Sequence, residues 1–266
     1  MSTVPAHPNR AHAVLGVYAS RRDRALLLDY DGTIAPFVND RSRAHPYPQV
    51  PALLDEIMER CGTRVVIVSG RPVKDITLLL QTRLRPEIWG CYGLERLLPA
   101  GQYSCVRLSP ECDSILSETA LRLEGAGLAA YLEQKRGCVA VHWRGLLPNR
   151  QEEIRALAYR TFSMFTGRNG FFVSEFDGGV ELRHRAGTKR HAVETILSEL
   201  GSDVAVAYMG DDATDEEAFR LLNDRGLTIL VRPTYRFTAA QLWLQPPQEL
   251  RAFLSEWIAA GSEEQR

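Results

Sequence analysis

Apolar and polar positions follow two rhythms along this chain. Continuous apolar runs occur at Ala25-Leu26-Leu27-Leu28, at Val65-Val66-Ile67-Val68 and over residues 204–208, and residues 227–231 read as one more strand. Such runs are the pattern of strands buried on both faces of a parallel sheet. Between them the period lengthens: Leu53, Leu54, Ile57 and Met58 recur at helical spacing after Pro51, and residues 73–80 and 216–222 read the same way. Strands alternating with helices predict an α/β fold, a Rossmann-like and mostly parallel sheet flanked by helices.

The middle of the chain has a different texture. Residues 114–135 lean towards helix, with interruptions at Gly125 and Gly127, and residues 138–143 are strand-like. Residues 149–165 predict a helix with Asn149 as its N-cap and Gly167 just past its end. Residues 171–176 and 180–184 flank Asp177-Gly178-Gly179, a hairpin signal. We therefore expect a small α+β module over 108–185, inserted into a core made of 1–107 and 186–266. The polar tail, 261–266, is expected to fray.

Candidate chemistry sits where the apolar runs end, and ligands of such sheets bind beyond the carboxyl ends of the strands. The first run leads into Asp29-Tyr30-Asp31-Gly32-Thr33. Residues i and i+2 of an extended chain point the same way, so both acids could face one pocket. Two close carboxylates repel unless a cation or a proton is shared. The set could hold Mg²⁺ and attack a phosphoryl group with a carboxylate. An Asp-x-Asp pair is also compatible with a surface turn, a glycosyltransferase metal pair or part of a calcium loop. The second run ends in Ser69-Gly70-Arg71, and the third is followed by Asp211, Asp212 and Asp215. Lys189 opens a predicted helix beside Thr188, a candidate cap, and a helix start favours an anion.

Composition narrows the classes. A net charge of −1 over 266 residues gives no electrostatic case for nucleic acid or an anionic membrane. No apolar run approaches the length of a membrane span. Residues 1–10 lack the apolar stretch of a secretory leader. Five cysteines without CxxC spacing fit free thiols in a reducing cytoplasm. Only Lys74, Lys135 and Lys189 are lysines, against 29 arginines. Lysine is a compact point charge where arginine is a planar fork, which makes Lys135 and Lys189 candidates on scarcity alone.

Taken in order, the segments Leu28-Asp29-Tyr30-Asp31-Gly32-Thr33-Ile34-Ala35-Pro36, Ser69-Gly70-Arg71, Lys189, and Gly210-Asp211-Asp212-Ala213-Thr214-Asp215-Glu216-Glu217-Ala218-Phe219 resemble the four motifs of haloacid dehalogenase superfamily phosphatases. More closely they resemble those of trehalose-6-phosphate phosphatases. The resemblance runs from about residue 25 to 254. It implies a Mg²⁺-dependent phosphatase releasing trehalose from trehalose 6-phosphate, in trehalose biosynthesis. Asp29 would be the nucleophile and Asp31 the acid and base. Thr33, Ser69, Gly70 and Lys189 would hold phosphate. The metal set would be Asp29, Asp31 through its backbone carbonyl, and Asp211, with Asp212 and Asp215 orienting the shell. The inserted module would act as a mobile cap, reading the sugar through Glu133, Lys135, His142, Arg144, Glu181 and Arg183. A functional link to a trehalose-phosphate synthase is implied as well. Alternatives are a related phosphatase for sucrose phosphate or a glucosyl-glycerate phosphate, and a catalytically silent sugar-phosphate-binding regulatory module. The chain departs from the family pattern at Arg190, where a glycine is usual, and at Tyr92, where His or Asn is common.

Overall fold

The computed structural model describes residues 23–262; the expectations for residues 1–10 and 263–266 lie outside them. In chain order come β1 (Arg24–Leu28), α1 (Val50–Arg60), β2 (Arg64–Val68), α2 (Val73–Leu79), β3 (Glu87–Gly90), β4 (Glu95–Leu97) and β5 (Tyr103–Cys105). There follow α3 (Pro110–Gly125), β6 (Leu132–Lys135), β7 (Cys138–His142), α4 (Pro148–Ser163), β8 (Phe171–Phe176) and β9 (Gly179–His184). The chain ends with α5 (Lys189–Glu199), β10 (Ala205–Gly210), α6 (Glu216–Leu222), β11 (Leu227–Val231), β12 (Leu242–Leu244) and α7 (Gln248–Ser262). Two compact units result: one runs to Tyr103 and resumes at Lys189, and the other is Ser104–Thr188.

The first unit is built on an eight-stranded sheet in the order β12-β11-β10-β1-β2-β3-β4-β5. Pairings from β12 through β3 are parallel, and β3 pairs with β4 antiparallel. Alternate residues of each central strand serve opposite layers. Leu26, Leu28, Ile67 and Met209 pack with Leu54, Ile76, Leu250 and Trp257 of α1, α2 and α7. Leu27, Val66, Val68 and Tyr208 pack with Val193, Ile196 and Phe219 of α5 and α6. A sheet covered on both faces leaves few polar positions, which is why its central strands β1 and β2 read as apolar runs.

The strand order reverses at β1, whose neighbours are β2 on one side and β10 on the other. Connections therefore leave in opposite directions and open a crevice at the carboxyl ends of β1 and β10. The register Leu28↔Met209 sets Asp29 beside the last residue of β10.

The second unit has a four-stranded antiparallel sheet, β6-β7-β9-β8. Val139, Val141, Val180 and Leu182 bury one face against Ile115 and Leu123 of α3 and Ile154, Ala158 and Phe162 of α4. The opposite parity carries Glu133, Lys135, His142, Glu181 and Arg183. Registers Glu133↔Ala140 and Ala140↔Glu181 make one row, and Lys135↔Cys138 and Cys138↔Arg183 the next.

Local readings differ from the structure in two places. The helix expected over 114–135 stops at Gly125, because Gly127, at φ +80°, turns the chain. Residues 132–135 pair instead with β7. The following helix begins at Pro148 with Leu147 as N-cap, not at Asn149. Proline's fixed φ suits the first helical position, and its missing N–H costs nothing there.

Glu87, on β3, is 2% exposed. It accepts from Arg64 Nε and Nη2 at 2.9 and 2.7 Å, from Trp89 Nε1 at 2.7 Å and from Arg96 Nε at 2.8 Å. Both arginines also bond Glu199 of α5, tying β2, β3 and β4 to that helix. Glu87→Ala leaves a buried indole N–H and two guanidinium groups short of an acceptor. It should cost about 3 kcal/mol, read from the denaturant midpoint; an unchanged midpoint would show that the network does not stabilise the sheet edge.

Candidate active site

Asp29 follows β1 directly, and its N–H donates to the carbonyl of Met209 at 2.9 Å, extending the β1–β10 ladder by one bond. The chain then turns. Ile34 and Ala35 N–H groups bond back to the Tyr30 carbonyl, and Gly32 N–H reaches Ala35 O at 2.8 Å. Gly32 sits at φ +84°, and a Cβ there would lie 2.3 Å from Asp211 Oδ2. Glycine thus satisfies both the turn and the close approach of the two strand ends.

Asp29, Asp211 and Asp215 are 4%, 2% and 0% exposed, and one ligand oxygen from each lies within 4.8 Å of the others. Lys189, the first residue of α5, holds this group together. Its Nζ donates to Asp29 Oδ1 at 2.6 Å and to Asp215 Oδ1 at 2.8 Å. Thr33 Oγ1 donates to the other Asp29 oxygen at 3.0 Å.

Asp215 is saturated. Oδ1 also accepts from Tyr208 Oη at 2.7 Å, and Oδ2 accepts from the backbone N–H groups of Asp211 and Asp212 at 3.0 and 3.1 Å. A carboxylate offers about four acceptor positions, and all four are used. A Cβ on Gly210 would fall 2.2 Å from Asp215 Cγ, so this residue must also be glycine. Asp212 turns to its own loop, where Oδ1 accepts from Thr214 N and Oγ1 at 2.8 and 2.6 Å in a capping box. Asp211 is the opposite case: its Oδ2 is buried with no hydrogen-bond partner.

Burial pushes the Asp29 carboxyl up to about 7 against the pull of Lys189, with Asp215 and Asp212 adding to the rise. Burial, then the Asp29 charge, hold Asp211 well above the usual carboxylate range. Burial works against the Lys189 ammonium, but Asp215 and Asp29 outweigh it and keep its pKa well above normal. The group has more buried negative charge than one lysine balances.

Asp31 has a different partner. The turn beginning at Tyr30 carries its carboxylate to Arg71, whose Nε and Nη2 bond Asp31 Oδ2 and Oδ1 at 2.6 and 2.7 Å. Arg71 also donates to Arg41 O at 2.9 Å. Ser69, after β2, is 1% exposed, and its Oγ accepts from Arg71 N at 3.1 Å. Over Gly70 lies the Tyr92 ring, whose Cζ would be 2.6 Å from a Cβ. Tyr92 holds φ +55° and is bonded through its N–H to Ser69 O at 2.9 Å.

Asp29, Thr33, Lys189 and Asp215 are thus joined by direct bonds, Asp211 joins them through its backbone, and Asp31 and Ser69 meet through Arg71. In the second unit, His142 Nε2 bonds Glu133 Oε2 at 2.9 Å, Lys135 Nζ lies 3.3 Å from Glu181 Oε2, and Arg183 Nε lies 3.6 Å from Glu181 Oε1. Arg144 sits at the hairpin, against Asp177. The sequence reading gave no role to Arg71, Tyr208 or Arg236. Arg71 was visible as the last residue of Ser-Gly-Arg; Tyr208 read as one more apolar strand position, and Arg236 carried no signal.

A mostly parallel sheet covered on both faces, with buried acids at the ends of adjacent strands and a lysine opening the next helix, is the haloacid dehalogenase class of fold. Within it, residues 27–241 match the trehalose-phosphatase family, and the chain belongs to that family. It is 31% identical over 265 residues to the trehalose-phosphate phosphatase of Mycobacterium leprae, covering 92% of this chain and 60% of that protein. With the Mycobacterium marinum enzyme it shares 29% over 242 residues, covering 86% and 60%. The chain therefore spans about 60% of the length of these curated relatives. Among solved structures, the C. albicans trehalose-6-phosphate phosphatase C-terminal domain superposes with a TM-score of 0.76 at 19% identity, covering 98% of each chain. A trehalose-6-phosphate phosphatase related protein gives 0.70 at 22%, covering 90% of this chain and 99% of that one. The C-terminal domain of a Candida albicans trehalose synthase regulatory protein gives 0.72 at 15%, covering 94% and 98%. At these identities the likeness is one of fold.

With its pKa raised in the folded state, Asp29 contributes stability below its unfolded value near 3.8 and loses it as pH climbs through about 7. In chelator, the stability of the wild type relative to Asp29→Asn should therefore fall as pH rises between about 4 and 7. Denaturant midpoints across that window check it; a difference that grows with pH would contradict the assigned environment.

Proposed function

We propose that this chain is a Mg²⁺-dependent phosphomonoesterase that hydrolyses trehalose 6-phosphate to trehalose and phosphate, through an aspartyl-phosphate on Asp29. The observation that carries the reading is the buried Asp29–Lys189–Asp215 bridge beside the unpartnered Asp211 Oδ2. The family named above supplies the sugar.

Asp29 Oδ attacks phosphorus, and the bond from phosphorus to the sugar oxygen breaks. Asp31 donates a proton to that leaving oxygen, then takes one from a water that attacks phosphorus, while the bond from phosphorus to Asp29 Oδ breaks and releases phosphate and the free carboxylate. Lys189 has three N–H donors; two hold Asp29 and Asp215, and the third serves a phosphate oxygen. Thr33, Ser69 and the backbone at Gly70 complete the phosphate's donors. Arg71 orients Asp31 through its two bonds.

The donors fit a hard divalent cation. Carboxylate oxygens of Asp29 and Asp211, with the Asp31 carbonyl, suit Mg²⁺, which keeps several waters besides. The orphaned Asp211 Oδ2 is a buried acceptor that such an ion would satisfy. Asp215, saturated, and Asp212, engaged in its cap, position the loop rather than bind directly. When bound, Mg²⁺ neutralises charge between the carboxylates and an anionic phosphate.

For the sugar we propose Glu133, Lys135, His142, Arg144, Glu181 and Arg183 of the second unit, which offer donors and acceptors to hydroxyl groups. Tyr92, in place of His or Asn, bears on how strictly the sugar is selected. We place the protein in the cytoplasm, working with a trehalose-phosphate synthase that supplies its substrate. All five cysteines are free, as a reducing compartment allows. No helix among the described residues is long and apolar enough to cross a membrane.

A silent, regulatory reading draws on the fold shared with the trehalose synthase regulatory protein. The intact nucleophile, lysine and acidic loop favour the enzyme. Phosphate release from trehalose 6-phosphate, sucrose 6-phosphate and glucosyl-3-phosphoglycerate, with Mg²⁺ and with chelator, separates these. We expect release from trehalose 6-phosphate at least 10-fold above the others, none in chelator and none from Asp29→Asn. Comparable rates across the panel would sink the trehalose assignment, and no release at all would favour the regulatory module.

A further inference from the structure

Asp211 and Asp212 form a short stretch of backbone that leaves the end of β10. Both of their N–H groups are bonded by Asp215 Oδ2, at 3.0 and 3.1 Å. Both of their carbonyls are bonded from the other side by one residue of the loop between β11 and β12. Arg236 Nε donates to Asp211 O at 3.1 Å, and Arg236 Nη2 donates to Asp212 O at 2.6 Å. Arg232 Nη1 adds a longer contact to Asp211 O at 3.3 Å. The guanidinium is itself fixed, because Nη1 bonds Glu216 Oε1 at 2.6 Å. Glu216 is 8% exposed and is held in turn by Thr238 Oγ1 at 2.7 Å and the Ala239 N–H at 2.9 Å.

We infer that Arg236 is a positioning residue for the divalent cation: its planar fork fixes the Asp211–Asp212 backbone, and so the direction of the Asp211 carboxylate. The inference rests on the cation-dependent reading of the site given above. The Asp211–Asp212 peptide is held on both edges, and the peptides before and after it on one edge each, so these groups have little freedom to rotate. The carboxylate they carry is then presented without reorganisation when a cation arrives, and preorganised ligands bind more tightly. A planar guanidinium with donors spaced to meet two successive carbonyls does this; an ammonium cannot. Charge attraction is not the mechanism, since Arg236 would repel a cation were it not paired with Glu216.

The test is the cation's own binding, measured with no substrate present. The rise in thermal midpoint with Mg²⁺ concentration gives a half-saturation value for the wild type, Arg236→Lys and Arg236→Met. Both variants should need about 10-fold more Mg²⁺ or beyond. At saturating Mg²⁺ they should recover most of the turnover with KM for the sugar phosphate unchanged. Half-saturation equal to wild type in Arg236→Met overturns the inference, as does full recovery by Arg236→Lys, which would assign the effect to charge. A lower midpoint in chelator with unchanged cation affinity would make Arg236 structural only, and also overturns it. A wild type with no saturable response to Mg²⁺ would instead remove the cation-dependent reading and the inference together.

Discussion

The Lys189 ammonium, 4% exposed between Asp29 and Asp215, is the interaction on which the rest of this site depends. Taking an ionised carboxylate out of water costs several kcal/mol even after relaxation. Three carboxyl groups are buried where β1 and β10 end, and a single lysine reaches two. The imbalance is useful chemically. It leaves Asp29 close to its own protonation point, as burial pushes it up to about 7, and it leaves Asp211 Oδ2 with no partner. A divalent cation and a phosphate dianion are the pair that such a site can accept with little reorganisation.

The sheet makes that arrangement unavoidable. Parallel pairing of β1 with β10, in the register that sets Leu28 against Met209, brings the two acidic strand ends side by side. Glycines at positions 32 and 210 let the acids approach, since a methyl group at either would collide with Asp211 or Asp215. Helix α5 then delivers Lys189 from its first turn. Each acid has a different surrounding and so a different task. Asp29 is paired with lysine, Asp31 is clamped by Arg71, Asp212 caps the next turn, and Asp215 is spent on backbone and lysine.

Much of this was legible in the chain. Buried parallel strands are largely apolar runs, so β1, β2, β10 and β11 showed themselves, and the residues after them were the candidates the structure brings together. Scarcity of lysine pointed to Lys189, which is buried and doubly bonded, and to Lys135, which meets Glu181. The extended-chain reading of Asp29 and Asp31 carried no sign of the turn at Tyr30, which pairs the Asp31 carboxylate with Arg71 while Asp29 meets Lys189. Asp212 could equally have been read as a helix-start acid, and its side chain does cap Thr214. Short strands β3, β4, β5 and β12 carry too few residues for a periodic signal. Residues 132–135 were absorbed into a helical pattern because pairing with β7, across the turn at residues 136–137, decides their form. Arg236 could not be found at all, as one arginine in a loop announces nothing about the carbonyls it will meet.

Lys189 lowers the cost of ionising Asp29 and Asp215 in their buried positions. Denaturant midpoints of Lys189→Met and wild type in chelator, at pH 5 and pH 8, test this most directly. Removing the ammonium raises the folded-state pKa values of Asp29 and Asp215 further, so stability is lost more steeply as pH rises. The account predicts a gap between variant and wild type that is wider at pH 8 than at pH 5. A gap of the same size at both pH values would contradict it.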